Sequence, residues 1–144
     1  MDQQRRSRQA TADEMSEKMR QVLSTIKFKE IDPELFNTKA YEAAKEIASD
    51  KNVNNPTQLR RFYDDLILWE AKAAKEPEKF EEYLPFIRMI NAKVAYAKGR
   101  KLVDKNFLEL MQHTLKEVVD TPTLKTCKLF WEAFMGFYKL ERPK

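Results

Sequence analysis

The chain has 144 residues, 42% of them hydrophobic and 35% charged, with 27 Lys and Arg against 23 Asp and Glu. That is ample apolar material for one packed core and too much for a disordered chain, yet the longest apolar runs, such as Leu66–Trp69, are far short of the about 20 residues a membrane-spanning helix needs. One histidine, one cysteine and two glycines leave little for catalysis, disulfides or a glycine-rich phosphate loop.

So few glycines, with no Asn-Gly or Asp-Gly turn and no alternating polar pattern, predict an all-α fold. The expectation is a compact bundle of five to six helices, a single domain over residues 11–144 behind a flexible basic arm over residues 1–10. The arm carries Arg5, Arg6 and Arg8 against Asp2 and lacks the apolar stretch of a secretory signal, which together with the lone Cys127 points to a reducing, cytoplasmic setting.

A first helix is expected from Thr11 or Ala12 to about Ser24, with Met15, Met19, Val22 and Leu23 on one side. Asp32-Pro33 predicts an N-cap followed by proline in the first turn, opening a helix to about Ser49. Its apolar face is Phe36, Ala40, Ala43, Ala44 and Ile47. The stretch Asp50–Pro56 reads as a loop. After it, Leu59, Phe62, Tyr63, Leu66, Trp69 and Ala73 recur at three- and four-residue steps until Pro77 breaks the pattern. Pro85 is expected to open or kink the next helix, whose stripe is Ile87, Ile90, Val94 and Ala97 up to Gly99. A further helix carries Phe107, Met111, Leu115 and Val118, and Thr121-Pro122 starts the last, with Leu124, Cys127, Trp131, Phe134 and Tyr138 along one side.

Candidate chemistry is sparse. A His113–Cys127 pair would give a thiolate nucleophile, but both residues fall within amphipathic helices, where a free cysteine acts as a small hydrophobe. Glu109 and His113 share a helical face, yet a metal site needs more ligands and no second histidine exists. Asp64-Asp65 and Glu81-Glu82 are adjacent pairs, so on a helix they diverge. The expectation is no enzyme, no metal and no cofactor.

The charge pattern is more informative. From Arg88 to Lys105 the chain carries Arg88, Lys93, Lys98, Arg100, Lys101 and Lys105 against Asp104 alone. Lys93, Tyr96 and Arg100 share a face away from the apolar stripe, and no acid stands four positions from Lys93. Arg60 and Arg61 lie outside the Leu59–Leu66 stripe near a helix N-terminus, where backbone amides favour phosphate. Ion pairs Arg60–Asp64 and Arg61–Asp65 are the competing assignment. From the residues alone, three classes fit: an RNA-binding module, a helical adaptor whose basic patches meet acidic proteins, and a helix-turn-helix DNA binder, which lacks its short glycine turn.

Three blocks together resemble the small subunit of the type III-A CRISPR effector, the Csm complex. They are Thr57-Gln-Leu-Arg60-Arg61-Phe62-Tyr63, then Leu84-Pro-Phe-Ile-Arg-Met-Ile-Asn-Ala-Lys93-Val-Ala-Tyr96-Ala-Lys98-Gly99-Arg100, then Phe130-Trp-Glu-Ala-Phe134-Met-Gly-Phe-Tyr-Lys139. The resemblance implies a non-catalytic helical bundle, present in several copies that stack beside the repeated backbone subunits. Its partners are then CRISPR RNA, target RNA, the backbone and large subunits and copies of itself, with no membrane. RNA cleavage would belong to the backbone subunits, and DNA cleavage and cyclic oligoadenylate synthesis to the large subunit. Carried over by position, the RNA-facing residues are Arg60, Arg61, Lys93, Lys98, Arg100 and Lys101. Gly99 is expected to close its helix in a left-handed cap. Phe62, Tyr63, Phe86, Ile90, Phe130 and Phe134 are assigned to the core.

Overall fold

The computed structural model describes residues 14–143. Thr11, Ala12 and the basic arm lie outside the described residues. Seven α-helices follow in order: α1 (Glu17–Leu23), α2 (Ala40–Ala48), α3 (Pro56–Lys75), α4 (Phe80–Arg88), α5 (Ile90–Gly99), α6 (Lys105–Lys116) and α7 (Thr121–Glu141). Met89 between α4 and α5 keeps helical angles and accepts from the Ala92 and Lys93 amides, so the two are arms of one bent helix and the bundle has six rods among the described residues. Pro85 sits inside α4 rather than opening it, and with no N–H to donate it weakens the rod just before the bend.

Caps fix the ends. Ser16, Asn55, Asp104 and Asp120 each accept a first-turn amide at α1, α3, α6 and α7, and Asp120 with Thr123 completes a reciprocal capping box. The Asp32-Pro33 start behaves differently. Asp32 Oδ1 accepts from the Glu34 amide at 2.7 Å in a local turn, a π-helical turn spans Leu35–Lys39, and regular helix begins only at Ala40.

The longest helix, α7, packs against α2 and α3, and its inner face supplies Phe130, Trp131, Phe134 and Tyr138 to the core. Trp131 sits 4.8 Å from Phe134 and 5.7 Å from Phe107, ring centre to ring centre, and its Nε1 donates to Thr114 Oγ1 at 3.0 Å. Apart from Phe36, half-buried in the turn before α2, the buried positions reproduce the expected stripes of α2, the α4–α5 rod, α6 and α7. Phe86 is a second exception. Its neighbour Ile87 takes the inward position, and Phe86, about 100° further round, falls on the outer side of the rod. Phe86 is therefore 50% exposed and lies stacked on Trp69, ring centres 5.3 Å apart. Tyr63 is half-buried against the core's edge. Among the described residues no helix is long and apolar enough to cross a membrane.

Candidate nucleic-acid interface

The expected cations occupy three places. Arg60 and Arg61, on the first turns of α3, line a groove of about 630 Å³ closed on the other side by Tyr138, Lys139 and Arg142 at the end of α7. Among the described residues Asp64 is its only acid, and Arg60 Nε holds it at 3.3 Å while the guanidinium lies 5.8 Å from the Tyr63 ring centre. The competing assignment is thus right for Arg60. It fails for Arg61, because Asp65 bonds Lys93 instead, and exposed Arg61 has no ion pair or hydrogen bond among the described residues.

Arg142 gives the groove a fixed cation. Its Nη1 donates to Val53 O at 2.6 Å, Asn54 O at 3.1 Å and Tyr138 Oη at 3.2 Å, and Nη2 donates to Lys51 O at 3.2 Å. Neutral oxygens satisfy the fork without cancelling its charge. Lys139 Nζ likewise rests on a carbonyl, Pro143 O. Nothing in local spacing groups either residue with Arg60, since they lie some 80 positions away.

The second place is the turn after α5. The Lys101 amide bonds Lys98 O at 2.9 Å and the Leu102 amide bonds Ala97 O at 2.9 Å, the paired bonds of a Schellman motif. Its left-handed residue is Lys101, at φ 64°, not Gly99, which lies within the helix at negative φ. The motif's bonding pattern fixes which residue turns over, and here that residue is one position beyond the Arg100 cap. Exposed Lys101 therefore projects from a rigid turn. Arg100 lies 5.9 Å from the ring centre of Tyr96, which is 70% exposed. Lys98 is half-buried on the same turn.

Lys93 is the third place, and its Nζ–Asp65 Oδ2 distance of 3.1 Å ties α5 to α3. Helical spacing could not reveal this partner, because Asp65 belongs to another helix.

Asn54 joins the groove to the turn. It is fully buried at φ 59°, its amide donates to Leu102 O at 2.9 Å, and its Oδ1 accepts from the Asp104 amide at 3.0 Å. Its Nδ2 donates to Ile47 O at 3.1 Å, and its carbonyl accepts from both Tyr138 Oη and Arg142. Asparagine tolerates left-handed backbone, which was the one signal in the Asp50–Pro56 loop that something beyond a linker was present. Asp104, whose carboxylate caps α6, is itself buried, and desolvation raises its pKa against the lowering effect of the Phe107 amide and Asn54.

The groups weighed for catalysis are held elsewhere. His113 Nε2 meets Ile26 O at 2.8 Å, and Glu109 pairs with Lys105 at 3.0 Å. Cys127 is fully buried, and desolvation drives its thiol pKa far above the ordinary range. Among the described residues no three His, Cys, Asp or Glu side chains converge as a metal would need.

A family model described as Csm2 Type III-A matches residues 30–144. No curated protein and no solved structure matches the chain significantly.

Proposed function

The chain belongs to the Csm2 type III-A family, the small subunit of the type III-A Csm complex, and we propose that it acts there as a non-catalytic, cytoplasmic RNA-holding subunit in antiviral defence. Several copies stack along the guide and target RNA, beside the repeated backbone subunits. Residues 11–144 work as one domain and residues 1–10 as a basic arm. Arg60, Arg61, Lys98, Arg100 and Lys101 contact phosphates and sugars, and Lys93 contributes a charge partly cancelled by Asp65. Such contacts position a strand without reading it; pairing to the guide supplies the sequence choice.

The observation that carries this reading is the groove, where Arg60 and Arg61 of α3 meet Lys139 of α7 and Arg142 just past its end, with Asp64 the sole acid among the described residues. The path continues past Asn54 to Arg100 and Lys101, since Asn54 bonds Arg142 on one side and Leu102 on the other. The test is single-stranded RNA binding across a salt series. Each lost phosphate contact flattens the log–log salt slope by about 0.7. Arg61→Ala/Lys139→Ala is expected to flatten it by up to about 1.4 and to weaken RNAs of different sequence alike. Unchanged affinity and slope in the folded variant would refute the groove as the site. Cleavage of RNA or DNA that follows the pure protein and disappears on point mutation would refute the non-catalytic reading.

A further inference from the structure

Asp64 and Asp65 are neighbours on α3, so their side chains leave the helix about 100° apart. That divergence rules out shared chemistry on one substrate, but it sends the two carboxylates to two different cations. Asp64 Oδ1 accepts from Arg60 Nε one turn back at 3.3 Å, and Asp65 Oδ2 accepts from Lys93 Nζ across on α5 at 3.1 Å. Both cations belong to the surface assigned above to RNA. The remaining groove cations are kept differently: Lys139 and Arg142 rest on carbonyl oxygens that leave their charge intact, and Arg61 has no ion pair or hydrogen bond among the described residues.

All four paired groups are open to solvent. The side chains of Arg60 and Asp64 are 64% and 59% exposed, those of Lys93 and Asp65 48% and 34%. Ion pairs in that setting are weak, because water screens the attraction and two long side chains must be held still. A phosphate that approaches Arg60 or Lys93 therefore meets a partner it can replace, and the arginine fork offers it two parallel bonds where Asp64 takes one. The replacement has a cost. The carboxylate left behind stays beside the strand, repels it and draws a salt cation back from solution.

We propose that Asp64 and Asp65 are built-in counter-ions of the RNA surface: RNA phosphates displace them from Arg60 and Lys93, and they hold the affinity of one copy for RNA below what its cations alone would give. The proposal rests on the RNA reading of this surface. It makes the two acids specificity-determining residues. A strand that meets only Arg60 or Lys93 gains little over the carboxylate it displaces, whereas one that also engages Arg61, Lys139 and Arg142 adds contacts that need no displacement.

Binding of single-stranded RNA to the full chain across a salt series tests it, with circular dichroism to confirm that each variant is folded. Asp64→Asn and Asp65→Asn keep the side-chain shape and remove one charge each. Each should tighten RNA by about two- to fivefold, the worth of an exposed ion pair read as a ratio. Each should also steepen the log–log salt slope by up to about 0.7, because no carboxylate is left to recapture a salt cation. Glu78→Gln removes the same charge past the far end of α3, which runs about 22 Å on from Arg60, well beyond the ~8 Å screening length at physiological salt. It should change neither quantity. In an Arg60→Ala background Asp64→Asn should leave the slope unchanged, since no pair remains to be displaced. The proposal is overturned if both asparagine variants bind RNA no more tightly than the wild type, if Glu78→Gln tightens binding as much as they do, or if Asp64→Asn steepens the slope equally without Arg60. Arg61→Ala/Lys139→Ala in the same series separates two failures. Where it weakens RNA and the asparagine variants do not tighten it, the counter-ion role alone fails. Where it too leaves RNA binding unchanged, the RNA surface fails and the counter-ion role with it.

Discussion

Replacing Asn54 by alanine removes the side chain on which loop, turn and C-terminal helix converge. The variant loses the Nδ2 bond to Ile47 O and the Oδ1 bond from the Asp104 amide, 3.1 and 3.0 Å. Ile47 is fully buried and Asp104 is 7% exposed, so both backbone groups are left without water to replace the bond. An unpaired buried group costs about 1–3 kcal/mol, and alanine at the left-handed φ of 59° adds about 1 kcal/mol over asparagine. The two orphaned groups and the backbone penalty together give an expected loss of about 3–7 kcal/mol, a large part of the ~5–15 kcal/mol that holds a domain folded. Urea unfolding followed by helical circular dichroism measures it. Asn54→Gly forfeits the same two bonds without the left-handed penalty, so it should be about 1 kcal/mol more stable than Asn54→Ala. A loss below about 1 kcal/mol for alanine, or a glycine variant less stable than the alanine one, would refute the clamp.

Asp104 has a signed pH dependence: burial raises its carboxyl above the ordinary 3.8, so the folded state binds this proton more tightly than the unfolded chain. That contribution is complete below the unfolded value and lost as pH rises through the folded one. Asp104→Asn, an equally good cap, should therefore match or exceed wild-type stability at pH 7 in urea unfolding, with the difference closing as the pH falls toward 4. Lys101→Gly relieves left-handed backbone and should raise the unfolding free energy by about 1 kcal/mol while lowering RNA affinity. Gly99→Ala, whose new methyl meets nothing within 4 Å, should add about 0.5–1 kcal/mol in the same assay. Cys127 should react with a thiol reagent no faster than the protein unfolds, because its thiol is buried and held protonated.

Helix positions were legible because local rules govern them. Pro77 ends α3 and Asp120-Thr121-Pro122 starts α7, each through backbone chemistry within a few residues. The apolar periodicity also picked out Ile87, Ile90, Val94 and Ala97 as core. Ile26, Phe28 and Val103 escaped it, since they are buried from irregular segments that have no period to detect, and Leu35 escaped it from the single π-helical turn. Phe86 was misassigned for a related reason: an aromatic in an apolar block looks buried until the adjacent Ile87 is seen to take the inward position.

The candidate site was half legible. Arg60, Arg61, Arg100 and Lys101 follow from charge and resemblance, but their grouping with Lys139 and Arg142 depends on contacts across some 80 to 90 positions. The same distance in sequence hid Asn54 as the joint between groove and turn. Lys93 looked unpaired only because its partner, Asp65, is 28 residues away on another helix.

The path of the RNA is tested most directly by photocrosslinking. RNA carrying 4-thiouridine would be bound to the full chain, irradiated and digested, and the crosslinked peptides identified by mass spectrometry. A second basic surface, lined by Lys27, Lys29 and Lys116 beside Glu30 and Glu117, serves as the internal control. Crosslinks confined to the Pro56–Arg61, Lys98–Lys101 and Tyr138–Arg142 peptides are the result expected here. Crosslinks at Lys27–Lys29 or Lys116 in their place would contradict it.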